Sequence, residues 1–411
     1  LNNHVDWGIR FWQYGPGDFF RQNVWSFSWP NQPPGTMLIF AFVRKLFEGI
    51  FSIFWWINVT IPVFPSNIML LFEERLYQVL LKLPAILADL GIAYLIFRFF
   101  AFRNKEKVGL FGASLFLFNP VTWYNSAIWG QTDATVNLFA FLSILSIIER
   151  KLIFSVLFIL ISLFIKASLL VFVPFILFIA YLQKYKAGLW IKAILIPSAI
   201  IGILTVPFSA GSEPFSWLFS LYQDKVFGWQ LHQITANAFN LWAAIAGIHE
   251  RPDTLFLGPL MFRTWAHTLF FVSLVPLFIE LYKEIGKRAS GDIEFYGKEG
   301  TRVILWVVML VGFSAFTFLT GMHERYLYPV FPLLTLIVSV ERKLIPLFAG
   351  LSIIYVVNLY NFWWYPRMEW AIGFLSAGDR LPPRLFGLVV TLLFLVLYFY
   401  FLKSRVKNEK N

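Results

Sequence analysis

The chain has 411 residues, of which 58% are hydrophobic and only 14% charged, with 48 Phe, 17 Trp, 16 Tyr, no Cys and a formal net charge of +11. A water-soluble domain carries roughly a quarter of its residues as charges, so most of this surface must face lipid. The lack of Cys excludes disulfides, thiolate metal sites and cysteine nucleophiles. In a lipid-facing chain the surplus of Lys and Arg marks cytoplasmic loops, not nucleic-acid binding.

A helix that crosses a bilayer needs about 20 mostly apolar residues. The chain opens on 1–78, a polar, Trp-rich stretch whose apolar part, 36–62, is interrupted by Arg44, Lys45 and Glu48. That pattern predicts helices lying along the interface. Spans are predicted at 79–101, 108–128 and 133–148. The stretch 152–182 is too long for one crossing and holds Lys166 and Pro174, so it reads as two short helices meeting near the outer face. Further spans follow at 189–207, 264–282, 302–319, 327–340, 344–361 and 385–402. The expected fold is all-α, a polytopic transmembrane helical bundle of about eleven spans with interfacial helices on its outer face. Two regions result: 1–78 as a first outer loop, and 79–411 as the bundle, with a large outer loop at 208–263.

Charge sets the orientation. The connections 98–107, 149–151, 183–192, 283–302 and 341–343, with the tail after Leu402, are short and basic and hold most of the 34 Lys and Arg. By the positive-inside rule they face the cytoplasm. The alternating connections, 1–78, 129–132, 208–263, 320–326 and 362–384, then lie outside. An external N-terminal region as long as 1–78 calls for a preceding helix, so one further span upstream of Leu1 is expected. The outer connections are long, aromatic and carry nearly all the unusual polar residues, which places function on that side.

Asp6 stands between Val5 and Trp7 in the first outer loop. A carboxylate so placed at a membrane surface is costly unless it is paired or its basicity is used, although a helix cap or a turn would also account for it. Asn31 to Gly35, with Pro33 and Pro34, is compatible with a plain turn. Asn119-Pro120 ends one span and Trp129-Gly130-Gln131-Thr132-Asp133 opens the next, where Thr132 and Asp133 would serve as an ordinary helix cap. Asp89 lies inside a span, where an acid is by default functional, the alternative being an ion pair with Lys82 or Lys166. His323-Glu324-Arg325-Tyr326 falls between two spans on the outer side. Arg grips phosphate with two parallel hydrogen bonds and His can add another, with Lys166 a point charge at the same depth; a snorkelling Arg beside an interfacial Tyr is the plainer account.

Together these segments resemble, along nearly the whole chain, the multi-span (GT-C type) glycosyltransferases that use polyprenyl-phosphate-linked sugars. The nearest likeness is to bacterial and archaeal mannosyltransferases related to the second mannosyltransferase of the GPI-anchor pathway. The features that carry it are the Asp6 loop, Pro33-Pro34-Gly35, Lys82-Leu83-Pro84 with Ala88-Asp89, and Asn119-Pro120 with the Trp129 to Asp133 run. Asn237-Ala238-Phe239-Asn240-Leu241-Trp242 and His323 to Tyr326 complete the set. The family's Pro-Pro-Gly turn usually follows an Asp-Tyr pair, whereas Asn31-Gln32 stands here.

The resemblance implies an integral membrane enzyme, of a prokaryotic plasma membrane, with its active site on the extracytoplasmic face. It implies inverting transfer of a hexose, mannose first, from a polyprenyl-phosphate donor to a hydroxyl of a glycan, glycolipid or protein. Asp6 would be the general base, and Arg325 and His323 would hold the lipid phosphate. Glu324, Lys166, Asp89, Gln131, Asp133, Trp242 and Asn237 would contribute to substrate binding. No cofactor is called for and no metal is required if Arg and His supply the positive charge. Trp7, Trp12, Trp29, Trp229 and Trp242 would stack on sugar faces or guide the lipid, or else form an interfacial belt. A lipid-linked-sugar flippase or transporter is the competing reading, although neither internal repeats nor helices broken near the mid-plane are evident.

Overall fold

The computed structural model describes residues 2–23, 25–227, 232–286 and 298–410. The fold is all-α, and the described strands form one antiparallel ladder of two-residue strands, Phe256–Leu257 against Leu260–Met261 in the large outer loop. Among the described residues six helices are long and apolar enough to cross a membrane: Leu83–Ala101, Ala187–Ser209, Phe262–Gly286, Glu299–Phe318, Arg342–Trp363 and Glu369–Val406. Asp133–Ile148, Leu152–Ile165 and Ala167–Leu182 are apolar but shorter.

Where these helices stand in the bundle follows from which residues they bury. On Ala187–Ser209, Leu195 and Ile203 are 62% and 70% exposed, and many of their neighbours are equally bare. Apolar faces this continuous suit lipid, not water. Glu299–Phe318 is the opposite case, with 94% of its most apolar window buried. Apolar on every side, it runs through the bundle's centre, with Trp306 stacked on Phe401 and Phe313 edge-on to Phe394 of the last helix. At the basic end Arg405 is clamped by Glu280, Glu284 and Glu299 at 2.7 to 3.0 Å, tying the last helix to two others.

Several boundaries differ from those predicted. The segment expected to span 108–128 ends as a helix at Leu117 and restarts at Pro120. Residues before proline are pushed to extended backbone; Asn119 obeys, at ψ 125°, and its side chain caps the new start by accepting from Val121 N at 3.0 Å. The predicted interfacial helices of 36–62 are one helix, Pro34–Thr60. Its charges do not break it because Arg44 and Lys45 both pair with Glu48, at 2.8 and 2.7 Å, along one face. The span expected at 327–340 begins at Val330, since Glu324–Leu327 is a tight 3₁₀ turn. The predicted pair of short helices in 152–182 is present, as Leu152–Ile165 and Val173–Leu182 joined by a 3₁₀ turn, with Lys166 at the break.

Residues 2–81 pack a separate apolar cluster around Trp7, Phe11, Phe19, Phe40 and Tyr77, closed by Phe208 and Leu221. The Asn2–Phe19 helix therefore lies against the C-terminal end of Ala187–Ser209, with Gly17 beside Pro207 and Ala210.

Candidate functional site

Lys166 leaves the Leu152–Ile165 helix in extended conformation (φ −158°, ψ 131°) just past its C-terminus, where free carbonyls favour a cation. One of those carbonyls, that of Ile165, accepts from Thr36 Oγ1 at 2.5 Å. The preceding residue, Gly35, lies so close that a β-carbon there would stand 2.7 Å from the Phe164 carbonyl oxygen. The Pro33-Pro34-Gly35 turn thus starts a helix whose first residues must touch the backbone of another, and glycine is what permits it.

A second turn delivers Asp133. Gly130 adopts φ +81°, and the amides of Gly130 and Gln131 both donate to the Asn125 carbonyl, at 3.1 and 3.0 Å. The predicted cap is not formed: Thr132 makes no capping hydrogen bond, and the Asp133 carboxylate instead accepts from Lys166 Nζ at 2.6 Å. A buried ammonium is a stronger partner than a neutral amide, so the ion pair takes the carboxylate.

The third contribution comes from the tight turn after His323. Glu324 is fully buried, and Arg325 reaches it at 3.3 Å and Asp133 at 3.7 Å. Burial works against the Arg325 charge, but Glu324 and Asp133 outweigh it and hold its pKa above the usual arginine value. His323 Nδ1 lies 3.8 Å from the other Glu324 oxygen. Two of these ion-pair distances exceed hydrogen-bond range. Arg325 Nε, His323 Nδ1, Asp133 Oδ2 and Glu324 Oε2 are accordingly buried without a hydrogen-bond partner. Each such group costs about 1–3 kcal/mol, a concentration that marks a site rather than a scaffold.

Lys166, His323 and Arg325 open into a cavity of about 640 Å³. Asn31, Gln32, Pro33 and the turn after Lys166 also line it. So do four residues that the sequence reading did not select: His232, Asp253, Arg263 and His267. Arg263 and His267 are one turn apart at the N-terminal end of an otherwise apolar helix, and that spacing was a usable signal. Nothing in the sequence around His232 or Asp253 points to them. The outer loops that carry these residues are stitched together by backbone hydrogen bonds. Gly321 N donates to the Gln233 carbonyl at 2.8 Å, Ala236 N to Met322 at 3.0 Å, and Ile234 N to Arg251 at 2.8 Å.

A mostly apolar groove of about 480 Å³ adjoins the cavity and shares Ala167 and Leu170 with it; Leu163, Phe215, Leu218, Phe219, Tyr222 and Gln223 line the rest. A further hollow of about 670 Å³ lies between the basic 104–108 and 339–342 connections and touches none of these groups.

The remaining candidates fall outside the cavity lining. Asp6 is one turn from Arg10, whose Nε donates to Oδ1 at 2.8 Å, while Ser26 Oγ donates to Oδ1 at 3.0 Å and Ser26 N to Oδ2 at 3.1 Å. Asp89 makes neither ion pair considered for it. Tyr328 donates to it, Lys82 donates instead to the carbonyls of Ala127 and Ile128, and Lys166 belongs to Asp133. Asn237 is a latch, its backbone and side-chain oxygens accepting from Asn358 and Asn361 at 2.7 and 2.9 Å. Trp242 is buried, with Nε1 donating to the Phe318 carbonyl at 2.6 Å, and Trp7 is buried with its Nε1 on the Ser28 carbonyl. Neither indole offers a face to a sugar. Trp12 is half exposed with Lys45 over its ring, which suits the interface. Gln131 takes part through its backbone amide, and Trp229 lies outside the described residues.

His4, which was not among the candidates, is buried and stacked on Phe40 with ring centroids 4.4 Å apart. Burial above all, with nearby positive charges that include Arg325 and Lys166, pushes its pKa well below the usual histidine value. The first helix therefore starts within electrostatic reach of the cationic cluster.

The chain matches no protein-family model and no curated protein.

Proposed function

We propose that this protein is an inverting membrane glycosyltransferase of the GT-C type, moving a hexose, mannose first, from a polyprenyl-phosphate donor to an acceptor hydroxyl. The observation that carries the reading is the cavity in which Lys166, His323 and Arg325 meet beside an apolar groove. A lipid-linked sugar phosphate has this same duality, a polar head with a charge to neutralise and an apolar tail that stays near lipid. Arg325 and His323 hold buried donors without acceptors, suited to a phosphate oxygen that gains charge as the sugar leaves. In this reading the cavity faces the extracytoplasmic side, away from the short basic connections at 98–107, 149–151 and 341–343.

In this reading the acceptor is a glycan, glycolipid or protein hydroxyl, and the resemblance assigns its deprotonation to Asp6. That role would require Asp6 to be released from Arg10 and Ser26, which engage both of its oxygens.

The test is sugar transfer by the full-length protein in liposomes, from radiolabelled mannosyl- and glucosyl-phosphoundecaprenol to octyl glycosides. Arg325→Ala should raise the donor KM by about tenfold or more, and an unchanged KM removes it from the phosphate. Asp6→Asn tests the assignment that the resemblance makes: transfer abolished with donor binding intact would make Asp6 the base, and near-normal transfer ends that assignment. Faster passage of labelled lipid across the bilayer, with no transfer, would support a flippase instead.

A further inference from the structure

This inference rests on the transfer reading and concerns where the acceptor proton goes. Among the residues lining the cavity, Asp253 is the one carboxylate. It is held on both sides through its backbone: its amide donates to the His232 carbonyl at 3.1 Å, and its carbonyl accepts from Arg263 N at 3.0 Å. The residue is 4% exposed. Its Oδ2 accepts from Thr320 Oγ1 at 3.1 Å, and its Oδ1 is buried without a hydrogen-bond partner. Asp6 presents the reverse picture, with both oxygens engaged by Arg10 and Ser26 and no place in the lining. A buried carboxylate oxygen left without a donor is costly in a structural role, and it is well suited to accept from a hydroxyl entering the cavity.

We infer that Asp253 is the general base. The acceptor O–H proton passes to Asp253 Oδ1 as the acceptor oxygen bonds to the anomeric carbon. The bond from that carbon to the phosphate oxygen breaks, and its electron pair leaves with the lipid phosphate. Lys166, His323 and Arg325, in the same lining, neutralise the charge that develops there. The proton on Asp253 is lost to solvent when the product departs. Asp6 then acts as a positioning residue, tying Ser26, and with it the chain leading to Asn31 and Pro33, onto the first helix.

The experiment compares wild type, Asp253→Asn, Asp253→Glu and Asp6→Asn in the same liposomes, with mannosyl- and glucosyl-phosphoundecaprenol as donors and octyl glycosides as acceptors. Donor binding and melting temperature are measured alongside. Asp253→Asn should lower kcat by about a hundredfold or more with donor affinity and melting temperature retained. Asp253→Glu should recover part of the rate. An Asp253→Asn variant that keeps kcat within about threefold overturns the assignment, as does a loss confined to KM. So does a loss of rate that tracks a collapse in melting temperature shared by Asp253→Glu. If Asp6→Asn alone abolishes transfer, the base is Asp6 and the transfer reading stands without this inference. A wild type inert with every donor, yet able to bind them, removes the transfer reading and the assignment with it.

Discussion

His4 shows how far burial can set a single side chain. It lies against Phe40, buried, in reach of two cations, and is held neutral. Its folded pKa is depressed below the ordinary value of about 6.5. The neutral form is therefore the native one, and its contribution to stability is present above the unfolded pKa and lost as pH falls through the folded one. The expected outcome is a melting temperature that drops on acidification below about pH 6.5 and drops less in His4→Phe, followed by tryptophan fluorescence in detergent. Equal acid sensitivity in both proteins would dissociate His4 from it. Asp133 and Lys166 make the related point for charge: each is tolerable in the interior only because the other is 2.6 Å away.

At the scale of elements, the site is assembled from interruptions. The break after Ile165 frees Lys166, the left-handed Gly130 turns Asp133 inward, and the 3₁₀ turn after His323 presents Arg325. Gly35 locks the first two regions of the chain together, and its close approach to the Phe164 carbonyl is a packing requirement. Gly35→Ala should cost about 1–3 kcal/mol by overpacking and lower the melting temperature, whereas Gly49→Ala, with open space around it, should not. Equal melting of the two variants would show that the contact relaxes freely. The same interruptions decide what was legible in the sequence. Long apolar runs announce helices, and His323, Glu324, Arg325 and Lys166 announce themselves as charges where lipid is expected. The partner of Lys166 was hidden because Asp133 looks like a cap, and a local pattern cannot register an ion pair formed across 33 positions. Asp253 and His232 were hidden for a simpler reason. In a long polar loop such residues are unremarkable, and only the docking of 232–236 onto 321–322 gives them a site to line.

At the scale of the molecule, burial sorts the spanning helices into those that face lipid and those that face protein. Ala187–Ser209 has 28% of its apolar window buried and Glu299–Phe318 has 94%, yet both have compositions that a hydropathy profile reads as the same. The periphery is expected to tolerate exchange among Leu, Ile and Val, while the axis is expected to be sensitive to volume, since truncation of a fully buried chain leaves a cavity.

The stitching of these loops has a kinetic meaning. Two backbone bonds join the 232–237 strip to the 320–323 strip and a third ties Ile234 to Arg251, making one plate, so the wall carrying Asp253 and His323 cannot part without breaking them together. In the transfer reading, substrate traffic is left to the rim made by Asn31 to Pro33 and the turn after Lys166, whose Ala167 and Leu170 also line the apolar groove. Amide hydrogen exchange makes the distinction visible. The amides of Ile234, Ala236 and Gly321 should exchange slowly and at a common rate, as a unit that opens as one, while the Ser26 amide, bonded only to a side chain, should exchange faster and slow when a lipid phosphate is bound. Independent rates along the seam would mean that the plate is two leaves, and that the lipid head could enter from the aqueous side.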